Sequence, residues 1–130
     1  MAYVELMILL ALLEFMLFGL AVGSARARYK VPAPATAGHE VFERYFRVQM
    51  NTLEQLVVVL PAMLICAHYW SPAMTAALGT LFIVGRALYF LGYTQAAARR
   101  HTGFLVGSIP AMILLVGAIV GAVRALLAHA

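Results

Sequence analysis

Residues 43–67 read ERYFRVQMNTLEQLVVVLPAMLICA: between Glu43 and Glu54 six charged or amide side chains, Glu43, Arg44, Arg47, Gln49, Asn51 and Glu54, lead through Gln55 into the purely apolar Leu56–Ala67. The chain around this stretch is oily. Of its 130 residues 65% are hydrophobic and 11% charged, far from the balance of an average soluble domain. A spanning helix needs about 20 predominantly apolar residues. The stretch therefore reads as part of one long membrane helix, about residues 39–70, with Pro61 a kink that neighbouring helices accommodate. Polar groups at membrane depth must satisfy one another or a ligand. The polar half has to face other helices, and the fold must supply them.

Upstream, residues 2–25 are apolar apart from Glu5 and Glu14. This segment starts acidic and meets its positive charge afterwards, the reverse of a secretory signal, so it is expected to stay as an uncleaved helix. Glu14, near its middle, is either a functional carboxyl or a neutral or paired one that faces other helices. Arg26, Arg28 and Lys30 followed by Pro32 and Pro34 make a basic first connection. Downstream, His68, Tyr69 and Trp70 give the second helix an aromatic, uncharged end of the interfacial kind. Ser71 and Pro72 read as a tight turn into an antiparallel third helix, about 72–99. Arg99, Arg100, His101 and Gly103 mark a second basic connection before a fourth apolar helix, about 104–127, that contains Pro110. The expected fold is an all-α membrane protein, a bundle of four transmembrane helices that makes one domain of residues 1–130.

The formal charge is +4, but the basic residues gather between apolar segments rather than along one exposed face. Anionic lipid, not nucleic acid, is the expected counter-charge. Both basic connections then face the cytoplasm and the termini the other side, with Arg124 as a basic residue against that rule. The single cysteine, Cys66, excludes an intrachain disulfide and a cysteine-cluster metal site. No metal is expected.

Helical angles organise the polar residues. Asn51 lies about 40° from Arg47 and Glu54 about 20° on the other side, with Glu43 on the same stripe. Gln49 points to nearly the opposite face and suits a different contact, such as a neighbouring subunit. Arg44, off the stripe, is expected at the surface or among lipid headgroups. On the third helix Tyr89, Tyr93 and Arg100 fall within about 60° of Arg86, a second polar stripe. Folding the hairpin about Ser71 lets the two stripes meet at the cytoplasmic end. Positive groups there exceed what Glu43 and Glu54 neutralise, which suits an anionic ligand; a self-satisfied Arg47–Glu54 network linking helices is the alternative. Tyr93 and Arg100 together favour a thiolate, because a cation and a hydrogen-bond donor stabilise the nucleophilic form.

On Glu43, Arg44, Arg47, Gln49, Asn51 and Glu54, the stretch YFLGY with Tyr89, Phe90, Gly92 and Tyr93, and Arg100 seven residues later, the chain resembles the MAPEG family, membrane-associated proteins of eicosanoid and glutathione metabolism. The resemblance implies a homotrimer that holds glutathione, a co-substrate, between adjacent subunits near the cytoplasmic side. Arg47, Asn51, Glu54, Tyr89 and Tyr93 correspond to contacts from one subunit, and Arg26 and Gln49 to contacts from its neighbour. Arg100 corresponds to the arginine that activates the thiol, with Tyr93 in support. Two positions depart from the leukotriene C synthase-like pattern: Gln55 stands where a tyrosine is found, and Ala27 where a second arginine is found.

The implied activity is that of a membrane-bound glutathione transferase acting on lipophilic electrophiles, with peroxidase activity on lipid hydroperoxides as an extension. One rival is a non-catalytic lipid-binding or scaffold member of the same family, a branch that lacks much of the glutathione set retained here. Another is a small multidrug transporter, which also has about four helices and a glutamate in the first, as Glu14 is here. Transporters of that kind lack the ERYFRVQMNTLE stripe.

Overall fold

The computed structural model describes all residues, Met1–Ala130, as four long helices: α1 (Ala2–Tyr29), α2 (Glu40–Tyr69), α3 (Pro72–Gln95) and α4 (His101–Ala128), with a short 3-10 turn, Ala97–Arg100, between the last two. All four are long and apolar enough to cross a membrane, the fourth counted together with that turn. Large apolar side chains crowd the outer surface: Leu9, Met16, Leu20 and Leu126 each expose more than 60% of their area. Such a surface is stable against lipid and not against water.

The α2–α3 hairpin forms the centre of the bundle, and α1 and α4 each pack on both of its helices. Its tight turn is closed by Ser71, whose Oγ accepts from Met74 N at 3.3 Å, with Pro72 in the first turn of α3. His39 caps the start of α2, its Nδ1 accepting from Val41 N at 3.1 Å. The main core lies in the half of the bundle near this turn, where Val59, Met63, Cys66, Phe82 and Leu114 are almost fully enclosed. Cys66 is a buried packing residue.

Packing of α3 on α4 is set by glycines. A Cβ on Gly85 would overlap the backbone of Gly107, and one on Gly103 would overlap the backbone of Tyr89. Small residues let membrane helices approach this closely and gain the van der Waals contact that holds them together.

Helix ends differ from the sequence reading in three places. α1 continues past residue 25 to Tyr29, so Arg26 and Arg28 lie on its last turn rather than in the connection. Arginine is a good helix former, and cations are stabilised at a helix C-terminus. Lys30 ends α1 in the left-handed conformation, with φ 60° and its N–H on the Arg26 carbonyl. α3 stops at Gln95 instead of near residue 99, because the chain turns back over Gly92, where a Cβ would overlap the Arg99 carbonyl. α4 begins at His101, three residues before the expected Phe104, since the turn leads straight into it.

Candidate functional site

Arg47, Asn51, Tyr89, Tyr93 and Arg100 line one cleft of about 360 Å³, together with His101 and Phe104. The volume lies within the range of small-molecule sites. α2 contributes the first two residues from successive turns of one face, and α3 contributes the tyrosines. The 3-10 turn carries Arg100 over the end of α3, where its guanidinium carbon stands 6.0 Å from the centre of the Tyr93 ring. Tyr93 in turn stacks on Tyr89, with ring centres 5.4 Å apart and planes 11° apart. The two polar stripes meet here.

Arg47 donates to Glu54 at 2.9 Å, in an ion pair whose side chains are each about half exposed. A pair this wet contributes roughly 0–1 kcal/mol to stability. Its arginine also reaches a second cleft of about 470 Å³, bounded by Thr36, Glu43 and Tyr93, so the two clefts join around Arg47 and Tyr93. Phe104 links the site in the other direction to a mainly apolar groove of about 420 Å³ between α2 and α4, lined by Gln55, Val58, Ser108, Met112 and Leu115 among others. A polar cleft thus adjoins an oily one.

Asn51 and Tyr89 are buried at 8% and 4% exposure, and the side chain that holds both is Arg86, which is fully enclosed. Arg86 Nη1 donates to Asn51 Oδ1 at 2.7 Å and to Thr52 Oγ1 at 3.4 Å. Its guanidinium carbon lies 4.4 Å from the centre of the Tyr89 ring, a cation–π contact strengthened by the lack of water. The helical angles put Arg86 on the stripe but assigned it no role. The signal was present: an arginine inside LFIVGRALYF is a charge at membrane depth, which is rarely there without a function.

Other expected residues lie elsewhere. Arg26 turns onto its own connection, donating to Ala35 O at 2.6 Å and Val31 O at 3.3 Å and stacking 4.8 Å over Phe42. Gln49 faces away from the cleft and packs on α1, where a Cβ on Gly19 would sit 3.0 Å from its Nε2. Arg44 is largely covered rather than free at the surface. It pairs with Glu40 at 3.1 Å and donates to Gln95 O at 3.5 Å, with only 14% of its side chain exposed, because the end of α3 lies within its reach. Glu43 accepts from Gly38 N at 3.4 Å and so steadies the entry to α2. Glu14 faces the interior of the bundle, with Oε1 enclosed and without a hydrogen-bond partner.

Chemically, the site offers guanidinium groups for an anion, an amide and two phenols for directed hydrogen bonds, and an oily groove alongside. Residues 4–120 match the model of the MAPEG family. The chain is 49% identical over 110 residues to an uncharacterised protein of Synechocystis, covering 85% of this chain and 80% of that one. It is 41% identical over 103 residues to microsomal glutathione S-transferase 2 of Homo sapiens, covering 78% and 70%. With leukotriene C4 synthase of Mus musculus it shares 35% identity over 99 residues, covering 76% and 65%.

Proposed function

The chain belongs to the MAPEG family, and from that premise we propose that it is an integral membrane glutathione transferase that conjugates glutathione to lipophilic electrophiles arriving from the bilayer. The observation that carries the reading is the convergence of Arg47, Asn51, Tyr89, Tyr93 and Arg100 on one cleft that shares Phe104 with an apolar groove. The names of two relatives, a glutathione S-transferase and a leukotriene C4 synthase, point the same way.

In this reading Arg47 neutralises a carboxylate of the tripeptide, with Glu54 on its far side to receive the peptide's amino group. Asn51 and Tyr89 bond the peptide backbone. Arg100 and the Tyr93 hydroxyl stabilise the cysteine sulfur as thiolate. The sulfur attacks the electrophilic carbon of the second substrate, a C–S bond forms, and the leaving group departs with the electron pair. Holding a soluble thiol where the oily groove opens converts a two-phase encounter into a local one. A lipid hydroperoxide in the groove meets the same sulfur: attack on the terminal oxygen yields a sulfenic acid and the lipid alcohol, and a second glutathione forms the disulfide and water.

Arg26 and Gln49 lie outside the cleft of their own chain, and we assign them to the site of an adjacent subunit in a homotrimer. Both basic connections belong on the cytoplasmic side, where glutathione is at hand. The reading is tested with purified protein, glutathione and a chloronitrobenzene electrophile. Formation of the thioether is the expected result; neither binding nor conjugation would leave a lipid-binding scaffold as the function.

A further inference from the structure

Arg86 has no place in the glutathione set, yet it is the largest side chain in the bundle that is wholly enclosed. It sits roughly 14 Å along the axis from the C-terminal end of α3. An isolated charge at that depth is expensive, so its partners are informative. They are Asn51 and Thr52 on α2 and the ring of Tyr89 one turn along α3.

A guanidinium only donates. Asn51 must therefore turn its carbonyl oxygen to Arg86, and the 2.7 Å bond fixes the amide in that sense. Nδ2 lies on the other branch of the carboxamide, has no partner within the chain and is not enclosed, while Asn51 lines the cleft. The cleft thus receives two N–H donors and no acceptor from this residue. The same guanidinium covers the ring of Tyr89 and so holds the Tyr89–Tyr93 stack on which Arg100 rests.

We propose that Arg86 is a positioning residue that sets Asn51 as an obligate donor toward a carbonyl or carboxylate of bound glutathione and fixes Tyr89 beside it. The assignment rests on the glutathione reading and adds a direction to it: the Asn51 contact selects an acceptor on the ligand.

The test titrates glutathione calorimetrically into detergent-solubilised protein and measures KM for both substrates. The double variant Glu14→Gln/Arg86→Gln buries no charge and leaves Asn51 free to turn either way. It is expected to bind glutathione about tenfold more weakly, with KM for the electrophile unchanged, and Arg86→Lys, which restores a donor-only cation, to recover most of the loss. Asn51→Asp keeps an acceptor for Arg86 and so keeps the fold, but removes the donor; glutathione affinity should again fall about tenfold or more. Wild-type affinity in either the double variant or Asn51→Asp, or an equal rise in both KM values, would overturn the proposal while leaving the glutathione reading intact. A wild-type protein that binds no glutathione would reject both.

Discussion

Arg100 stands exposed on the turn between α3 and α4, free of any carboxylate partner, with the Tyr93 ring beneath it. A free cation at the water side of a cleft acts on the charge state of whatever lies next to it more than on the stability of the fold. Arg100→Ala is expected to lower kcat about tenfold, the equivalent of one pKa unit in the bound thiol, and to change the Kd for glutathione far less. Single-turnover kinetics alongside calorimetry separate the two effects. Equal loss of both, or of neither, would remove the thiolate role. The role proposed for Arg86 differs: it is enclosed and acts through its contacts with Asn51 and Tyr89. Helical angles put both arginines on one stripe. Angle gives direction but not reach, so the sequence did not reveal that the Arg86 side chain extends to Asn51 and Thr52. For Gln49 the angle gave the face correctly, while its neighbour across that face, Gly19 of α1, depended on tertiary packing.

Among the elements, α3 carries Tyr89 and Tyr93, the 3-10 turn Arg100 and α4 Phe104, and the separation of the two helices is set where Gly85 meets the backbone of Gly107. Backbone cannot retreat as a side chain can. Gly85→Ala is therefore expected to cost about 1–3 kcal/mol through overpacking and to spoil the cleft. Gly79→Ala meets chiefly the flexible end of Met63 and should cost less, as thermal unfolding in detergent would reveal. A reversed order would mean that the α3–α4 crossing does not depend on close backbone approach. The hydrophobic runs, the Ser71–Pro72 turn and the basic connections made the four helices legible from the sequence. Two boundaries were not. Arg26 and Arg28 read as loop because prolines follow them, although arginine extends a helix well. The end of α3 at Gln95 falls in TQAAARR, a run of mostly good helix formers, and the break comes from the return of the chain over Gly92.

At the scale of the molecule, four apolar helices set a polar cleft at the connecting end of a bundle whose outer surface suits lipid. In the proposed function this arrangement gives a water-soluble thiol and an oily electrophile one meeting place. Gln55 and Met112 line the oily side, and on the proposed function the shape of the second substrate is decided there and that of the first in the polar cleft. Everything proposed for Arg100, Arg86 and the groove depends on glutathione being the occupant of that cleft. Calorimetric titration of glutathione into the detergent-solubilised wild-type protein tests this most directly: the account predicts saturable binding, abolished by Arg47→Ala, and absence of saturable binding by the folded protein would contradict it.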